Sequence, residues 1–377
     1  MNKPAGPRLS DRQRLNWLRL IRTPNVGPAS FRDLINRFGS AETAIEMLPE
    51  LMISGGANRI ARIPSVTEAE AEMEMARRLG ARFVCIGEPD YPPLLRRMDN
   101  PPPLLAIKGA GAVFGLPAVA IVGARNASLA GIKMARALAA ELGREGYSVV
   151  SGLARGIDTA AHQGSLATGT VGVFAGGLDQ PYPRENIGLM EQMATSGGAI
   201  VSEMPFGWEP RAQDFPRRNR IVAGMTLGLV VVEAAKRSGS LISARLAGEM
   251  GRLVFAVPGS PLDPRAAGTN GLLKDGAILV TEASDIMTAL APLAGVSRPL
   301  PQSLDEPPDF SATPPPGDSH RDRVVEALGP VPVGVDEIIR HTGLHPAQVF
   351  MILLELDLAG RLERHSGGAV SLVLQDP

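Results

Sequence analysis

Residues 118–259 repeat one grammar: a short apolar run ends in Gly or Ser, and a segment of helical periodicity usually follows. AVAIVG, YSVVSG, TVGVFAGG, AIVSE, LGLVVVEAA and LVFAVPG supply the runs. All-apolar runs of this length fit strands buried on both faces, and their alternation with helices implies parallel βαβ units. The expected fold class is α/β. In such sheets ligands sit where loops leave the carboxyl ends of the strands. Those loop positions hold Gly123, Arg125, Ser151, Gly152, Gly176, Gly177, Arg218, Arg220, Ser238, Gly239 and Ser240. Small residues with accessible backbone N–H groups, accompanied by Arg, suit phosphate.

The chain is long enough, at 377 residues, for two or three domains. Its single cysteine, Cys85, excludes a disulfide framework and a cysteine-only metal site; in the apolar context ARFVCIG a buried structural role is expected. The N-terminus lacks the apolar core of a secretory signal, and no apolar stretch reaches membrane-spanning length. A cytoplasmic location without membrane insertion is therefore expected. The net charge of −1 gives no global attraction to nucleic acid, so any such contact must come from a local patch. Lysine occurs only as Lys3, Lys108, Lys133, Lys236 and Lys274, so nearly all positive charge is arginine. Aromatic residues make up 4%, which favours backbone contacts over extensive base stacking.

Residues 1–65 read as a helical domain. LNWLRLIRTPNVGPASFRDLINRFGSAETAIEML has helical periodicity broken at Thr23-Pro24-Asn25-Val26-Gly27-Pro28, which resembles a helix-hairpin-helix or SAM-like module. The turn's amides could meet a phosphate, or the module could be a packing bundle without a ligand. Residues 66–290 form the α/β domain, entered through a helix over 66–82 and a Pro-rich arm between strands FVCI and LLAIKG. Within it, MPFGWEPRAQDFPRRNR reads as a long loop, of a length usually reserved for function. Residues 291–319 are a Pro- and Ser-rich linker. Residues 320–377 hold three helical segments and a hairpin turning at Gly367-Gly368, a winged-helix-like pattern. Its third helix is mostly apolar or acidic, with Glu355 and Asp357, which favours protein interaction over base reading.

Several chemistries fail on the residues. The turn Gly123-Ala124-Arg125-Asn126-Ala127-Ser128 is not GxGxxG, the next strand ends without an acid, and no GxxxxGK[ST] occurs. No cofactor is expected. Histidines 162, 320, 341, 345 and 365 have no metal-ligand pattern, and no metal is expected. Asp158 and His162 lie one helical turn apart, and Glu203 and Glu233 end strands, so acid–base work is conceivable. The simpler reading makes Asp158 an N-cap, packs His162 behind it and gives both glutamates to turn amides. No nucleophile with an obvious partner is present, and no catalytic residue is assigned. Anion binding fits best. Gly123-Ala124-Arg125 is expected at a helix start, Arg218-Asn219-Arg220 at one loop end, Ser238-Gly239-Ser240 opening another helix, and Arg184 on a neighbouring loop. Guanidinium groups on separate loops suit a polyanion.

IVGARNASLAG, VSGLARGIDTAAHQGSL, GGLDQPYPRENIGL, SEMPFGWEP, FPRRNRIVAG, VVEAAKRSGSLISARLAGEMGRLVFAVPG and GTNGLLKDGA, in this order and spacing, resemble the successive motifs of the DprA (Smf) family across roughly residues 85–285. The resemblance implies an extended Rossmann-like domain, a homodimer, and sequence-independent binding of single-stranded DNA. It further implies loading of the RecA recombinase during natural transformation. It carries phosphate contact onto Gly123, Arg125, Ser151, Gly152, Arg184, Arg218, Asn219 and Arg220, beside Gly176, Ser238, Gly239 and Ser240 from the loop positions. Ala124 stands where the family often has a hydroxyl, and Ser243 where Thr is common. A nucleotide phosphoribohydrolase on a similar fold is the rival, although its Pro-Gly-Gly-x-Gly-Thr loop is replaced by Lys236-Arg237-Ser238-Gly239-Ser240. A sequence-specific regulator built on the C-terminal module is a third reading.

Overall fold

The computed structural model describes residues 8–294 and 314–373. Most of the expected linker therefore lies outside the described residues. The chain divides into two compact units. One joins Ser10–Glu70 to the described part of Pro299–Pro377, and the other comprises the described part of Ala71–Arg298 with the residues before Ser10.

The chain begins with α1 (Asp11–Ile21), α2 (Pro28–Phe38) and α3 (Ala41–Ser54). Ser10 starts α1 through a capping box with Gln13, Pro28 occupies the first turn of α2, and left-handed Gly39 ends it. Helix α4 (Val66–Arg78) follows.

The α/β unit alternates as its periodicity dictates. Strands β1 (Ala81–Cys85), β2 (Leu104–Gly109) and β3 (Ala118–Val122) come first. Then follow α5 (Leu129–Arg144), β4 (Ser148–Ser151), α6 (Ile157–Ser165), β5 (Thr170–Val173), α7 (Ile187–Thr195), β6 (Ala199–Ser202) and α8 (Asp214–Gly224). Strand β7 (Gly228–Val231), α9 (Gly239–Glu249), β8 (Leu253–Ala256), α10 (Ala267–Lys274), β9 (Ile278–Leu279) and α11 (Ala283–Ala294) complete it. Among the described residues the sheet has nine strands in the order β1-β2-β6-β5-β4-β3-β7-β8-β9. Strands β1 and β2 pair antiparallel at one edge and every other pairing is parallel, except that of β2 with β6. Successive residues of β3 serve opposite faces. Ala118, Ala120 and Val122 join one apolar cluster, Val119 and Ile121 the other, so the strand is apolar throughout because both faces are covered.

The last module contains α12 (Asp318–Glu326), β10 (Val333–Gly334), α13 (Val335–Thr342), α14 (Pro346–Leu358), β11 (Leu362–Arg364) and β12 (Ala369–Leu372), with strand order β10-β12-β11. The hairpin turns through Gly367 and Gly368, both at positive φ (73° and 75°), as the Gly-Gly pair indicated. This is a winged helix. Its third helix, α14, packs against α1–α3, so the first and last modules form one unit.

Candidate nucleic-acid interface

Strand β3 lies between β4 and β7, and the connections from β3 to β4 and onward to β7 leave in opposite directions along the sheet. A crevice at such a switch point is the expected ligand site. A cavity of about 570 Å³ occupies it, lined by the loops after β3, β4 and β7 and by one face of α8. A hollow of about 150 Å³ shares Arg125, Gly152 and Phe215 with the cavity and extends it to Arg155 and Tyr182.

The turn after β3 brings Gly123, Arg125 and Asn126 to the wall. Gly123 is dictated by close approach, since a Cβ would lie 2.6 Å from Ile157 Cγ1 and 3.0 Å from the Glu233 carbonyl oxygen. This turn is not a helix start. Helix α5 begins at Leu129 with Ser128 as N-cap, and Glu233 accepts from the Ser128 amide at 2.9 Å and from its hydroxyl. The strand-end glutamate therefore serves a turn amide, as expected of Glu233.

The loop after β4 wraps around Asp158. Its Oδ2 accepts from the amides of Gly152 at 3.1 Å and Ala154 at 3.2 Å. Between them Leu153 adopts φ 60°, a left-handed conformation uncommon for a branched residue. Asp158 is thus no N-cap: Gly156 holds that position, and the carboxylate ties down the loop preceding α6. Burial raises the Asp158 pKa, opposed by Arg218 and the two loop amides. His162 is fully buried, with Nδ1 2.7 Å from Thr170 Oγ1, and burial pulls its pKa down to about 3. It does not line the cleft, so Asp158 and His162 present no acid–base pair to a ligand there.

RRNR does not end a loop. Helix α8 already begins at Asp214, so Arg218, Asn219 and Arg220 lie inside it. Side chains two apart on a helix point away from each other. Arg218 lines the cavity, whereas Arg220 donates from Nη1 to the Asn100 carbonyl at 3.2 Å and pairs through Nη2 with buried Glu203. Glu203 also binds Arg217 at 2.9 Å, so this buried carboxylate neutralises arginines on α8. Arg218 itself is 6% exposed: its Nη1 donates to the carbonyls of Gly152 and of Val173, the latter at 2.8 Å, and its buried Nε has no partner among the described residues. Burial pulls the Arg218 pKa down to about 10, against the pull of Asp158 and with a push from Arg125.

Ser238 caps α9, as its spacing indicated, accepting from the Ser240 amide at 3.4 Å, and Asn219 reaches across to the Gly239 carbonyl at 3.5 Å. Of the remaining candidates, Ser151 is fully buried with its hydroxyl donating to the Ile121 carbonyl at 2.6 Å. Gly176 packs against the Trp208 carbonyl and Pro210. Neither lines the cavity, and exposed Arg184 lines neither the cavity nor the smaller hollow, although its chain neighbour Pro183 lines the latter.

The structure adds residues that sequence reading did not select. Arg237 stands next to the chosen Ser238, and Arg265 enters from the loop after β8. Phe215, inside the FPRRNR motif, takes the Arg125 guanidinium 5.1 Å from its ring centroid and meets Tyr182 edge-on at 6.0 Å. Tyr182 is 51% exposed. Few aromatics in the composition do not prevent two from gathering at one mouth.

Strand order, switch-point cleft and arginine lining define a Rossmann-like α/β protein with an arginine-lined crevice, flanked by a helical-hairpin module and a winged helix. The chain belongs to the DNA recombination-mediator protein A (DprA) family, which it matches over residues 82–291. The DprA-like N-terminal HHH domain matches residues 11–75 and the DprA winged helix domain residues 306–368. Protein Smf of Escherichia coli strain K12 is 37% identical over 284 residues, 75% of each chain. Protein Smf of Synechocystis is 30% identical across 95% of this chain and 98% of its own length. The solved structure of DNA processing protein A from Streptococcus pneumoniae superposes with a TM-score of 0.56 at 34% identity, covering 66% of this chain and 82% of that one. The Helicobacter pylori protein, solved for its single-stranded DNA binding mode, gives 0.51 at 28% identity over 56% of this chain and 97% of its own.

Proposed function

We propose that this chain binds single-stranded DNA without reading its sequence and hands it to a RecA-type recombinase in recombination or natural transformation. In this reading it works as a cytoplasmic homodimer without chemical turnover. The observation that carries the reading is the composition of the cleft. Arg125, Arg218, Arg237 and Arg265 converge with the N-terminus of α9 on one crevice, and Arg125 lies over Phe215 at its mouth. Guanidinium groups and helix-start amides hold phosphates whatever the base, while an aromatic face accepts an unpaired base. The single-strand binding of the Helicobacter pylori relative supports the same reading. Among the described residues no helix is long and apolar enough to cross a membrane.

The test is fluorescence anisotropy of labelled mixed-sequence oligonucleotides, single- and double-stranded, across a salt series. The reading expects strong single-strand preference and a slope of about 0.7 per neutralised phosphate. Equal, weak binding to both forms would overturn it. The rival, a nucleotide phosphoribohydrolase, draws on Asp158, a carboxylate in the cleft wall. That carboxylate already holds two loop amides, which argues for a structural duty. Release of free base from a nucleoside monophosphate would revive the rival. RecA hand-over is tested by strand-exchange assays on coated single strands, and the dimer by light scattering.

A further inference from the structure

A winged helix that reads DNA places its third helix in the major groove and needs that helix's outer face free and polar. Helix α14 has no such face. Of residues 347–358, Phe350 alone is exposed. One side, with Val349, Ile352, Leu353 and Leu356, fills the winged helix's own core. The opposite side, with Met351, Leu354 and Leu358, joins Leu20, Phe31, Leu34 and Leu48 of the N-terminal helices in a separate apolar cluster. One of its two acids, Glu355, is 2% exposed and held by Arg321 at 2.8 and 2.9 Å.

The same contact closes the N-terminal hairpin. The Asn25 side chain, in the turn, donates to the Leu358 carbonyl at 3.2 Å, and Ser30 donates to Asp357 at 3.0 Å. A helix carboxyl end and a carboxylate thus sit where a phosphate would have to come, and both repel it. Arg364 locks the arrangement by pairing with Asp33 at 3.2 Å and with Asp357 at 2.8 Å. Gly55 is the steric condition of the approach, because a Cβ there would overlap the Glu355 carbonyl. Between residues 314 and 373 five arginines and no lysine face eight carboxylates, a balance that disfavours a DNA backbone.

We propose that the winged helix of this chain is a docking domain for its own N-terminal module and not a reader of DNA: α14 and the hairpin turn occupy each other's ligand-binding face. This inference stands apart from the reading of the cleft.

Hydrogen exchange on the intact chain tests it, with and without saturating single- and double-stranded oligonucleotides. Peptides spanning 22–31 and 346–358 are expected to exchange slowly without DNA and to remain unchanged when either DNA is added. Fast exchange of both without DNA, or a DNA-dependent change in either, overturns the proposal. Gly55→Val and Leu354→Glu in the full chain are expected to deprotect both peptides together and leave duplex affinity within about twofold. A gain of about tenfold in duplex affinity in these variants would show instead that docking masks a DNA reader. Should the variants fail to fold, the exchange measurement on the unaltered chain still decides. Loss of single-strand binding by the unaltered chain would refute the cleft and leave this result untouched.

Discussion

Arg125 and Arg218 line one cleft but carry different burdens. Arg125 is exposed, and its guanidinium rests on Phe215; Arg218 is buried and spends hydrogen bonds on the Gly152 and Val173 carbonyls. Arg125→Ala is expected to weaken single-strand binding about tenfold and lower the salt slope by about 0.7, with stability changed by less than about 0.5 kcal/mol. Arg218→Ala should cost about 3 kcal/mol of stability, because it strands two buried carbonyls and leaves Asp158 without its compensating charge. Paired denaturation and anisotropy measurements separate the two effects. His162 sets a pH dependence. Burial holds its pKa near 3 against an ordinary 6.5, so the unfolded chain takes up a proton that the folded chain refuses. Stability should therefore be full above the ordinary value and fall as pH drops from about 6.5, by about 2 kcal/mol at pH 5, through this residue. Denaturant titrations at pH 7 and pH 5 check this, and His162→Gln should flatten the difference.

Helix α8 shows what an element imposes on its residues. Helix α8 begins at Asp214, about two turns before the loop reading ends at Arg220, and the helical period then sorts the arginines of FPRRNR. Arg218 goes to the cleft, and Arg220 goes to Glu203 and Asn100. Arg220→Ala is expected to leave single-strand affinity within about twofold while costing about 2 kcal/mol, since buried Glu203 loses an arginine partner. A large loss of binding with unchanged stability would return Arg220 to the binding surface. The motif itself was legible as a string; its division of labour was not, because loop and helix differ here by where the first turn forms.

The two ends of the chain meet in one unit, and this shapes any dissection of the molecule. Removing residues 295–377 alone would bare Leu34, Leu48, Leu51 and Met52, which α14 helps to cover. Such a truncation is expected to aggregate, as a newly exposed apolar patch does. A fragment spanning residues 71–294 should stay monodisperse and keep single-strand binding, because the cleft draws every lining residue from that unit. Size-exclusion chromatography of both fragments, followed by anisotropy on the second, checks the pair of expectations. A well-behaved 1–294 fragment would argue that the docked face is dispensable.

Strand and helix periods, turn glycines and the order of motifs are local signals. They sufficed for the alternating strands of the α/β sheet, the winged-helix pattern, the family, and the parts of the cleft built from strand-end loops: Gly123, Arg125, Gly152 and Ser238-Gly239-Ser240. Long-range partners leave no such signature. Nothing near Arg265 in the chain announces a cleft shared with the loops after β3 and β4, and nothing near Asp33 announces Arg364. Those assignments follow from which faces the folded chain must bury together, and apolar burial and charge pairing act between residues that the sequence keeps far apart.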